Sequence, residues 1–306
     1  MNNSNKTIYS VTEPAPAKVN LTLDVTGVRP NGYHDVAMVM QSISLQDEIS
    51  MSRREDNEVV LEFADTEVLR GVKLSSGPDN LVCKAVRKFW EYVERDACSG
   101  KCNGVNILLT KHIPLEAGMA GGSTDAAATL RALNRLFGTG FDIKTLCEIG
   151  AGIGADVPFC VLGGTALAEG IGEILTSLTP VPKMDMLLVK PPVGASTKDI
   201  YNGLVLDETT EHPDNEAMIH AIEEADVDSI CTKLSNVLEP VTIGLLPVIG
   251  DIKQKMLELG ADAALMSGSG STVFGIFKDK RKLEGAKKHF CKNTAYFCEV
   301  CTTLNS

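Results

Sequence analysis

The stretch Pro114-Leu-Glu-Ala-Gly-Met-Ala-Gly-Gly-Ser-Thr124 carries most of the information about the fold, and we call it the glycine-rich loop. The alternating segment 105–110 before it predicts a strand, and residues 125–137 after it are strong helix formers closed by Gly138. Glycines between a strand and a helix leave backbone N–H groups accessible, and the helix N-terminus adds a positive dipole end. The loop therefore predicts a phosphate-binding site, and a flexible turn is the alternative.

Two other nucleotide-binding patterns are missing from the sequence. No Gly-Lys-Ser or Gly-Lys-Thr follows the glycine-rich loop, which excludes a P-loop. The second glycine-rich stretch, residues 150–156, does not match the dinucleotide fingerprint Gly-x-Gly-x-x-Gly. A nucleotide bound by this chain would need a different kind of loop.

Length and charge restrict the class of protein. A chain of 306 residues exceeds the size at which a single core usually keeps growing, so two domains are expected. The boundary is predicted near residue 180, where Pro180 and Pro182 interrupt the pattern. With a net charge of −11, neither nucleic acid nor an anionic membrane is an expected partner, and no apolar run approaches the ~20 residues of a membrane span.

The nine cysteines indicate free thiols in a reducing cytoplasm, because the polar first 14 residues show no secretory signal. Cys298 and Cys301 form a single Cys-x-x-Cys pair. A zinc site usually has a second pair at a fixed spacing, and residues 295–301 also fit an apolar strand. The sequence leaves both interpretations open for this segment.

The remaining pattern predicts mixed helices and strands without a regular βαβ rhythm, which is typical of an α+β fold. Residues 1–14 are predicted to form a flexible tail. Polar and apolar side chains alternate in residues 17–25, which predicts one half-buried strand, and Asp142 is predicted to cap a helix. Further strands are predicted at 36–51, 184–189, 263–266 and 272–277, and further helices at 78–95, 216–225, 248–259 and 279–290.

Three further positions are candidates for chemistry. Lys18 lies on the polar face of the first strand, where it is either solvated or keeps a carboxylate ionised and attracts an anionic substrate. Asp156, in Gly154-Ala-Asp-Val-Pro158, either caps a short helix or acts on a substrate hydroxyl. The stretch Ser267-Gly-Ser-Gly-Ser271 precedes a strand, and its alternative interpretation is a tight turn.

These pieces occur together and in order, and with them the chain resembles the GHMP kinase superfamily, which includes galactokinase and the homoserine, mevalonate and phosphomevalonate kinases. The matching segments are Pro16-Ala-Lys-Val-Asn-Leu21, the glycine-rich loop with Asp125-Ala-Ala-Ala128, Gly154-Ala-Asp-Val-Pro158 and Ser267-Gly-Ser-Gly-Ser271. Asn31-Gly-Tyr-His34 is similar to the members that act on a cytidine diphosphate-linked methylerythritol. The resemblance extends from about residue 15 to residue 277.

The resemblance implies a two-domain GHMP kinase fold. Residues 15–180 would form an N-terminal ATP-binding domain similar to ribosomal S5 domain 2, and residues 181–306 a ferredoxin-like C-terminal domain. It implies ATP as co-substrate, with Mg²⁺ expected, although the sequence names no set of metal ligands. A monomer or homodimer in the cytoplasm is expected.

The resemblance also assigns the residues of the site. The catalytic pair would be Lys18 and Asp156. The substrate site would be lined by Asn20, Tyr33, His34 and Tyr201. ATP would lie on Pro114, Leu115, Glu116, Ala117, Gly118, Met119, Ala120, Gly121, Gly122, Ser123 and Thr124. The commonest loop of the family reads Gly-Leu-Gly-Gly-Gly-Ser-Ser, and the extra methyl group of Ala120 matters only if that residue has a positive φ.

The implied reaction is transfer of the γ-phosphoryl group of ATP to the 2-hydroxyl of the cytidine diphosphate-linked methylerythritol, in non-mevalonate isoprenoid synthesis. Asp156 would take the hydroxyl proton or orient the hydroxyl, and Lys18 would keep that carboxylate ionised. A homoserine- or mevalonate-type kinase is one alternative, against which Asn31-Gly-Tyr-His34 argues. A non-catalytic nucleotide-binding protein is the other, and the presence of both Lys18 and Asp156 argues against it.

Overall fold

The computed structural model describes residues 8–30, 32–96 and 103–305. The strands are β1 (Ser10–Asn20), β2 (Thr22–Val28), β3 (His34–Arg53), β4 (Val59–Phe63), β5 (Val105–Thr110), β6 (Thr165–Gly170), β7 (Ile174–Ser177), β8 (Asp185–Lys190), β9 (Ser235–Asn236), β10 (Ala263–Met266), β11 (Val273–Phe277) and β12 (Phe297–Thr302). The helices are α1 (Leu81–Asp96), α2 (Gly121–Phe137), α3 (Ile143–Ala151), α4 (Val157–Leu162), α5 (Thr197–Gly203), α6 (Asn215–Glu223), α7 (Val227–Lys233), α8 (Glu239–Leu245), α9 (Val248–Glu258) and α10 (Lys280–Phe290). None of the helices in this described part of the chain has the length and apolar character that crossing a bilayer requires.

The chain divides into two compact units, each built from three segments. Unit 1 holds the chain up to Ala15, Gln46–His112 and Gly122–Leu162, and unit 2 holds Pro16–Leu45, Ile113–Gly121 and Gly163–Ser306. This division differs from a single boundary near residue 180, because β3 contributes residues to both units. The predicted family domains, 15–180 and 181–306, stay a prediction.

Unit 1 positions the helix that follows the glycine-rich loop. Alternate residues of β5 are buried, and β5 pairs in parallel with β4 and antiparallel with the end of β3. Two aromatic residues of α1 contact aromatic rings at the C-terminus of α2. The ring centroids of Trp90 and Phe137, the last residue of α2, lie 4.8 Å apart. Those of Phe89 and Phe141, which follows α2, lie 5.5 Å apart. These aromatic contacts fix the C-terminal half of α2 against α1.

Unit 2 contains two groups of paired strands. In the first, the beginning of β3 pairs antiparallel with β2 and β6, β6 pairs with β7, and β2 runs parallel to β9. The second is an antiparallel sheet in the order β10-β11-β8-β12. Val19 and Leu21 share one apolar core with residues of this second sheet, such as Leu188 and Phe274. The core therefore takes the apolar face of the first strands and leaves their polar face for other partners.

The start of the chain differs from the predicted tail. Strand β1 begins at Ser10, and the N–H of Arg53 donates a hydrogen bond to the carbonyl oxygen of Tyr9 at 3.1 Å. The prediction of a flexible tail over residues 1–14 is therefore wrong from Ser10 onward, because backbone pairing extends the strand beyond the alternating segment. The single strand predicted at 17–25 is divided at Leu21 into β1 and β2.

The other predicted elements are confirmed with small shifts of their ends. Helix α1 begins at Leu81, where Oδ1 of Asn80 accepts from the N–H of Val82 at 2.9 Å. Asp142 caps α3 as predicted, accepting from the N–H of Thr145 at 2.8 Å. Several helices and strands of two to seven residues have no counterpart in the prediction, because such short segments do not show a clear periodicity.

Residues 295–301 are confirmed as largely strand, with β12 beginning at Phe297. Cys298 and Cys301 lie three residues apart in β12, so their side chains point to opposite faces of the strand. Burial raises the pKa of both thiols to about 12. Residues 8–30, 32–96 and 103–305 contain no group of three or more His, Cys, Asp or Glu side chains arranged to hold a metal ion. The strand interpretation of this segment is therefore the one that the structure supports.

Candidate active site

The glycine-rich loop has an unusual backbone. Glu116, Gly118 and Ala120 have positive φ values of 50°, 69° and 57°. This left-handed conformation suits glycine and costs other residues roughly 1–2 kcal/mol. Ala120 has the positive φ at which its extra methyl group matters, and it is therefore held in a strained conformation.

The loop packs closely against Ser267-Gly-Ser-Gly-Ser271, which we call the serine-glycine turn. Gly118 of the loop and Ser267 of the turn are 149 residues apart in sequence. The hydroxyl of Ser267 donates to the carbonyl oxygen of Gly118 at 3.0 Å. A Cβ on Gly118 would lie 2.1 Å from the carbonyl oxygen of Ser267, and a Cβ on Gly268 would lie 2.8 Å from that of Gly118. Neither glycine can be replaced without moving the backbone, because the two segments pack directly against each other.

A cavity of about 480 Å³ lies beside the loop, a volume typical of small-molecule sites. Its lining comes from the glycine-rich loop, from the connection between β8 and α5 with the first residue of α5, and from Gly270: Glu116, Gly118, Gly194, Ala195, Ser196, Thr197 and Gly270. Near it, the half-buried Lys190 donates to the carbonyl oxygens of Pro191 and Val193 at 3.2 and 3.3 Å. Burial lowers the pKa of Lys190, and the charge of Glu116 opposes that effect.

The loop leads directly into α2, which begins at Gly121, four residues before the predicted start. The first N–H groups of a helix have no intrahelical partner, and such groups at the start of a helix are suited to an anionic ligand. Gly122 is exposed, whereas Thr124 is fully buried. A Cβ on Gly122 would lie 3.3 Å from Cδ1 of Leu81, so the space around this residue is restricted.

Lys18 and Asn20 form a buried pair at the end of β1. Their side chains are 5% and 0% exposed, and Nζ of Lys18 donates to Oδ1 of Asn20 at 2.8 Å. Lys18 also lies beside the glycine-rich loop, because its N–H donates to the carbonyl oxygen of Met119 at 3.3 Å. A solvated surface lysine is therefore ruled out, and the structure brings Lys18, Asn20 and the loop together.

The polar face of β1 and β2 continues beyond Asn20. We call Lys18, Asn20, Thr22 and Asp24 the polar row; all four side chains are buried. Thr22 donates to Oδ1 of Asn215 at 2.5 Å, and Oδ1 of Asp24 lies 2.7 Å from Nδ1 of His212. The alternation of residues 17–25 places Thr22 and Asp24 on the polar face of the strand. Their partners Asn215 and His212 lie almost 200 residues away, and no local sequence pattern predicts these contacts.

The other residues predicted to line the substrate site, Tyr33, His34 and Tyr201, are partly brought together. The rings of His34 and Tyr201 lie 4.9 Å apart between centroids, tilted by 51°. The side chain of Tyr33 is 57% exposed, and Asn31 lies outside the described residues. Tyr201 belongs to α5, whose N-cap Ser196 accepts from the N–H of Asp199 at 3.3 Å. His34 and Tyr201 therefore form a contiguous aromatic surface in unit 2.

Asp156 lies in unit 1, at the turn that leads into α4. Its side chain is partly exposed. Its carbonyl oxygen accepts from the N–H of Cys160 at 3.1 Å, and the carbonyl oxygen of Gly154 accepts from Val157 at 3.1 Å. Since Lys18 and Asp156 belong to different units, their pairing stays a proposal.

A second buried lysine, Lys111, was not predicted from the sequence. Lys111 in unit 1 forms ion pairs with Asp47 and with Asp125, the latter at 2.8 Å, and all three side chains are buried. Burial raises the pKa of Asp125 to about 8 despite the attraction of Lys111. Burial lowers the pKa of Lys111, but the charges of Asp125 and Asp47 outweigh it and the net pKa is raised. This triad joins the end of the β5 strand to the first turns of α2.

Comparisons with known proteins agree with this architecture. Residues 80–164 match the GHMP kinase N-terminal domain, and residues 218–295 match the GHMP kinase C-terminal domain. The crystal structure of a 4-(cytidine 5′-diphospho)-2C-methyl-D-erythritol kinase superposes with a TM-score of 0.77 at 29% identity, covering 97% of this chain and all of the other. The chain is thus a small-molecule kinase with the two-domain GHMP kinase fold.

Curated relatives define the family more narrowly. The 4-diphosphocytidyl-2-C-methyl-D-erythritol kinase of Lachnoclostridium phytofermentans is 47% identical over 272 residues, 89% of either chain. The kinase of the same name from Bacillus subtilis is 46% identical over 277 residues, 90% of either chain. This chain belongs to the 4-diphosphocytidyl-2-C-methyl-D-erythritol kinase family.

Proposed function

We propose that this kinase transfers the γ-phosphoryl group of ATP to the 2-hydroxyl of 4-diphosphocytidyl-2-C-methyl-D-erythritol, a step of non-mevalonate isoprenoid precursor synthesis. The observation that carries the proposal is the identity of 43–47% to kinases of that name across about nine tenths of the chain. The buried Lys18–Asn20 pair beside the glycine-rich loop and the His34–Tyr201 surface support it from the geometry.

ATP would lie on the glycine-rich loop. The N–H groups at the start of α2 are suited to phosphate oxygens, because the helix dipole adds positive potential there. The close contact between Gly118 and Ser267 supports a rigid loop, and a rigid loop holds the phosphates in one geometry. Phosphoryl transfer depends mainly on such positioning and on charge stabilisation.

Asp156 would act on the 2-hydroxyl of the acceptor, by taking its proton or by orienting it. Lys18 would hold the carboxylate ionised and stabilise charge that develops on the transferred group. The hydrogen bond from Lys18 to Asn20 supports this role, since a neutral amide orients the ammonium group without cancelling its charge. Asn20, Tyr33, His34 and Tyr201 would bind the acceptor.

Mg²⁺ belongs to the proposal as the usual companion of ATP. Mg²⁺ typically keeps several waters and binds through one or two carboxylates and the phosphates, and when bound it would neutralise phosphate charge. Glu116 is the carboxylate of the glycine-rich loop and lines the cavity there. A cytoplasmic location, a monomeric or homodimeric state and the absence of nucleic-acid and membrane partners are further parts of the proposal.

An acceptor panel tests the proposal. The purified chain is incubated with ATP and Mg²⁺ and with 4-diphosphocytidyl-2-C-methyl-D-erythritol, homoserine or mevalonate, and ADP release is followed by a coupled assay. We expect turnover with the cytidine compound only. Turnover of homoserine or mevalonate in its place would contradict the acceptor and leave the GHMP kinase fold intact, whereas ADP release without any acceptor would contradict alcohol phosphorylation altogether.

A further inference from the structure

The far end of the polar row is tied to a segment that the proposed mechanism does not use. Residues 204–214 connect α5 to α6, and polar contacts of His212 and of Asn215, the first residue of α6, fix the end of this connection. His212 contacts Asp24 at 2.7 Å, and Asn215 contacts both Thr22, at 2.5 Å, and the carbonyl oxygen of Ala37, at 3.2 Å. The connection is therefore held on the polar face of β2 rather than on the apolar core.

These contacts lie between the two ends of the proposed acceptor site. Asp24 stands opposite Ala37 in the pairing of β2 with β3, and His34 begins β3 three residues before Ala37. Lys18 and Asn20 lie at the other end of the row, which spans about 20 Å. An acceptor with its reacting hydroxyl near Lys18 and its base on His34 and Tyr201 would place its linking diphosphate near Asp24 and His212.

The chemistry of His212 suits such a group. Asp24 is buried, whereas the side chain of His212 is 46% exposed. Donation of Nδ1–H to Asp24 fixes the ring orientation and leaves Nε2 on the far side of the ring. Within residues 8–30, 32–96 and 103–305, Nε2 makes no hydrogen bond. In the imidazolium form Nε2–H can donate to a phosphate oxygen, and Asp24 compensates the charge of the ring.

We propose that His212, oriented by Asp24, is a specificity-determining residue that binds the diphosphate of the cytidine-linked acceptor. This inference rests on the proposed function for the identity of the acceptor. Asp24 is a positioning residue in it, since it acts through His212. The segment 204–214 would thus contribute a ligand-binding side chain as well as a connection between helices.

Calorimetric binding of cytidine 5′-diphosphate and of cytidine tests the inference without turnover. His212→Asn keeps an amide N–H for Asp24 but removes Nε2. We expect it to weaken binding of cytidine 5′-diphosphate about 10- to 100-fold, the range for a lost hydrogen bond to a charged group, and to leave cytidine binding unchanged. Asp24→Asn should show the same selective loss to a smaller extent. His220→Ala, which changes an exposed histidine on α6, should bind both ligands as the wild type does.

The outcomes separate the inference from the proposed function. Unchanged binding of cytidine 5′-diphosphate by His212→Asn would overturn the contact, and an equal loss for cytidine would show that His212 only tethers the segment. Kinetics with 4-diphosphocytidyl-2-C-methyl-D-erythritol should show the same increase in its KM at constant kcat and constant KM for ATP. Wild-type protein that binds cytidine 5′-diphosphate through His212 yet phosphorylates no cytidine-linked alcohol would uphold the contact and contradict the proposed function.

Discussion

Two buried lysines, one in each unit, have opposite surroundings. Lys111 in unit 1 is 2% exposed and lies between the carboxylates of Asp47 and Asp125. Lys18 in unit 2 is equally buried, but its side chain donates to the neutral amide of Asn20. Burial of an ammonium group costs several kcal/mol unless it is compensated, and the two units compensate it by different means.

The difference indicates which lysine is available for chemistry. Asp47 and Asp125 together compensate the charge of Lys111, and the three side chains join β5 to α2, which is a structural arrangement. The amide of Asn20 orients Lys18 without removing its charge, and the N–H of Lys18 lies on the glycine-rich loop. A lysine beside the glycine-rich loop is placed to act on a substrate, whereas Lys111 has a structural role. The first three predictions test this distinction, and the fourth concerns the loop itself.

The largest effect is expected from a matched pair of carboxylate changes. Asp156→Asn keeps the volume but removes the proton acceptor, and kcat should fall about 10²–10⁴-fold, the range for a lost general base. Asp125→Asn, the matched change in the triad, should leave kcat close to that of the wild type. Steady-state kinetics and calorimetric ATP binding check both. Normal kcat in Asp156→Asn would reduce Asp156 to a structural role.

The triad itself should dominate stability. Lys111→Met removes the cation that lies between the buried side chains of Asp47 and Asp125, and the free energy of unfolding should fall by about 3–5 kcal/mol. Urea unfolding followed by circular dichroism measures the loss. The control is the triple variant Lys111→Met, Asp47→Asn, Asp125→Asn, which removes all three charges and should recover part of the stability. A single variant as stable as the wild type would show that the triad is not a compensated ion cluster.

The pH dependence of stability follows from Asp125. Its pKa is about 8 in the folded chain against an ordinary value of 3.8. Between these two values the folded state keeps a proton that the unfolded state has released, so the contribution of Asp125 to stability falls as the pH rises from about 4 to about 8. Asp125→Asn should make the free energy of unfolding depend less on pH between about 4 and about 8. Urea midpoints at a series of pH values measure it, and identical slopes in variant and wild type would contradict a raised pKa.

The smallest effect concerns the glycine-rich loop. Ala120→Gly relieves the strain of a positive φ but adds freedom to the unfolded chain, so the free energy of unfolding should change by less than about 1 kcal/mol. Ala120→Val places a β-branched residue at the same φ and should destabilise more. Thermal unfolding of both variants checks the order, and a more stable valine variant would be inconsistent with the left-handed conformation.

The fold and the site differ in how far the sequence predicts them. The glycine-rich loop, β5 and α2 follow from neighbouring residues, because their signals are local periodicity and turn chemistry. The partners of Asp24 and Lys111 do not, since each contact joins residues that are distant along the chain. The close approach of Gly118 to Ser267 is likewise a contact between residues that are distant along the chain.

The structure of the product tests phosphorylation of the 2-hydroxyl most directly. Wild-type protein is incubated with ATP, Mg²⁺ and 4-diphosphocytidyl-2-C-methyl-D-erythritol, and the product is examined by ³¹P and ¹³C NMR. We expect one new phosphomonoester at the 2-hydroxyl, an intact diphosphate and one equivalent of ADP. A phosphate on another hydroxyl, or ADP formed with free phosphate and unchanged acceptor, would contradict it.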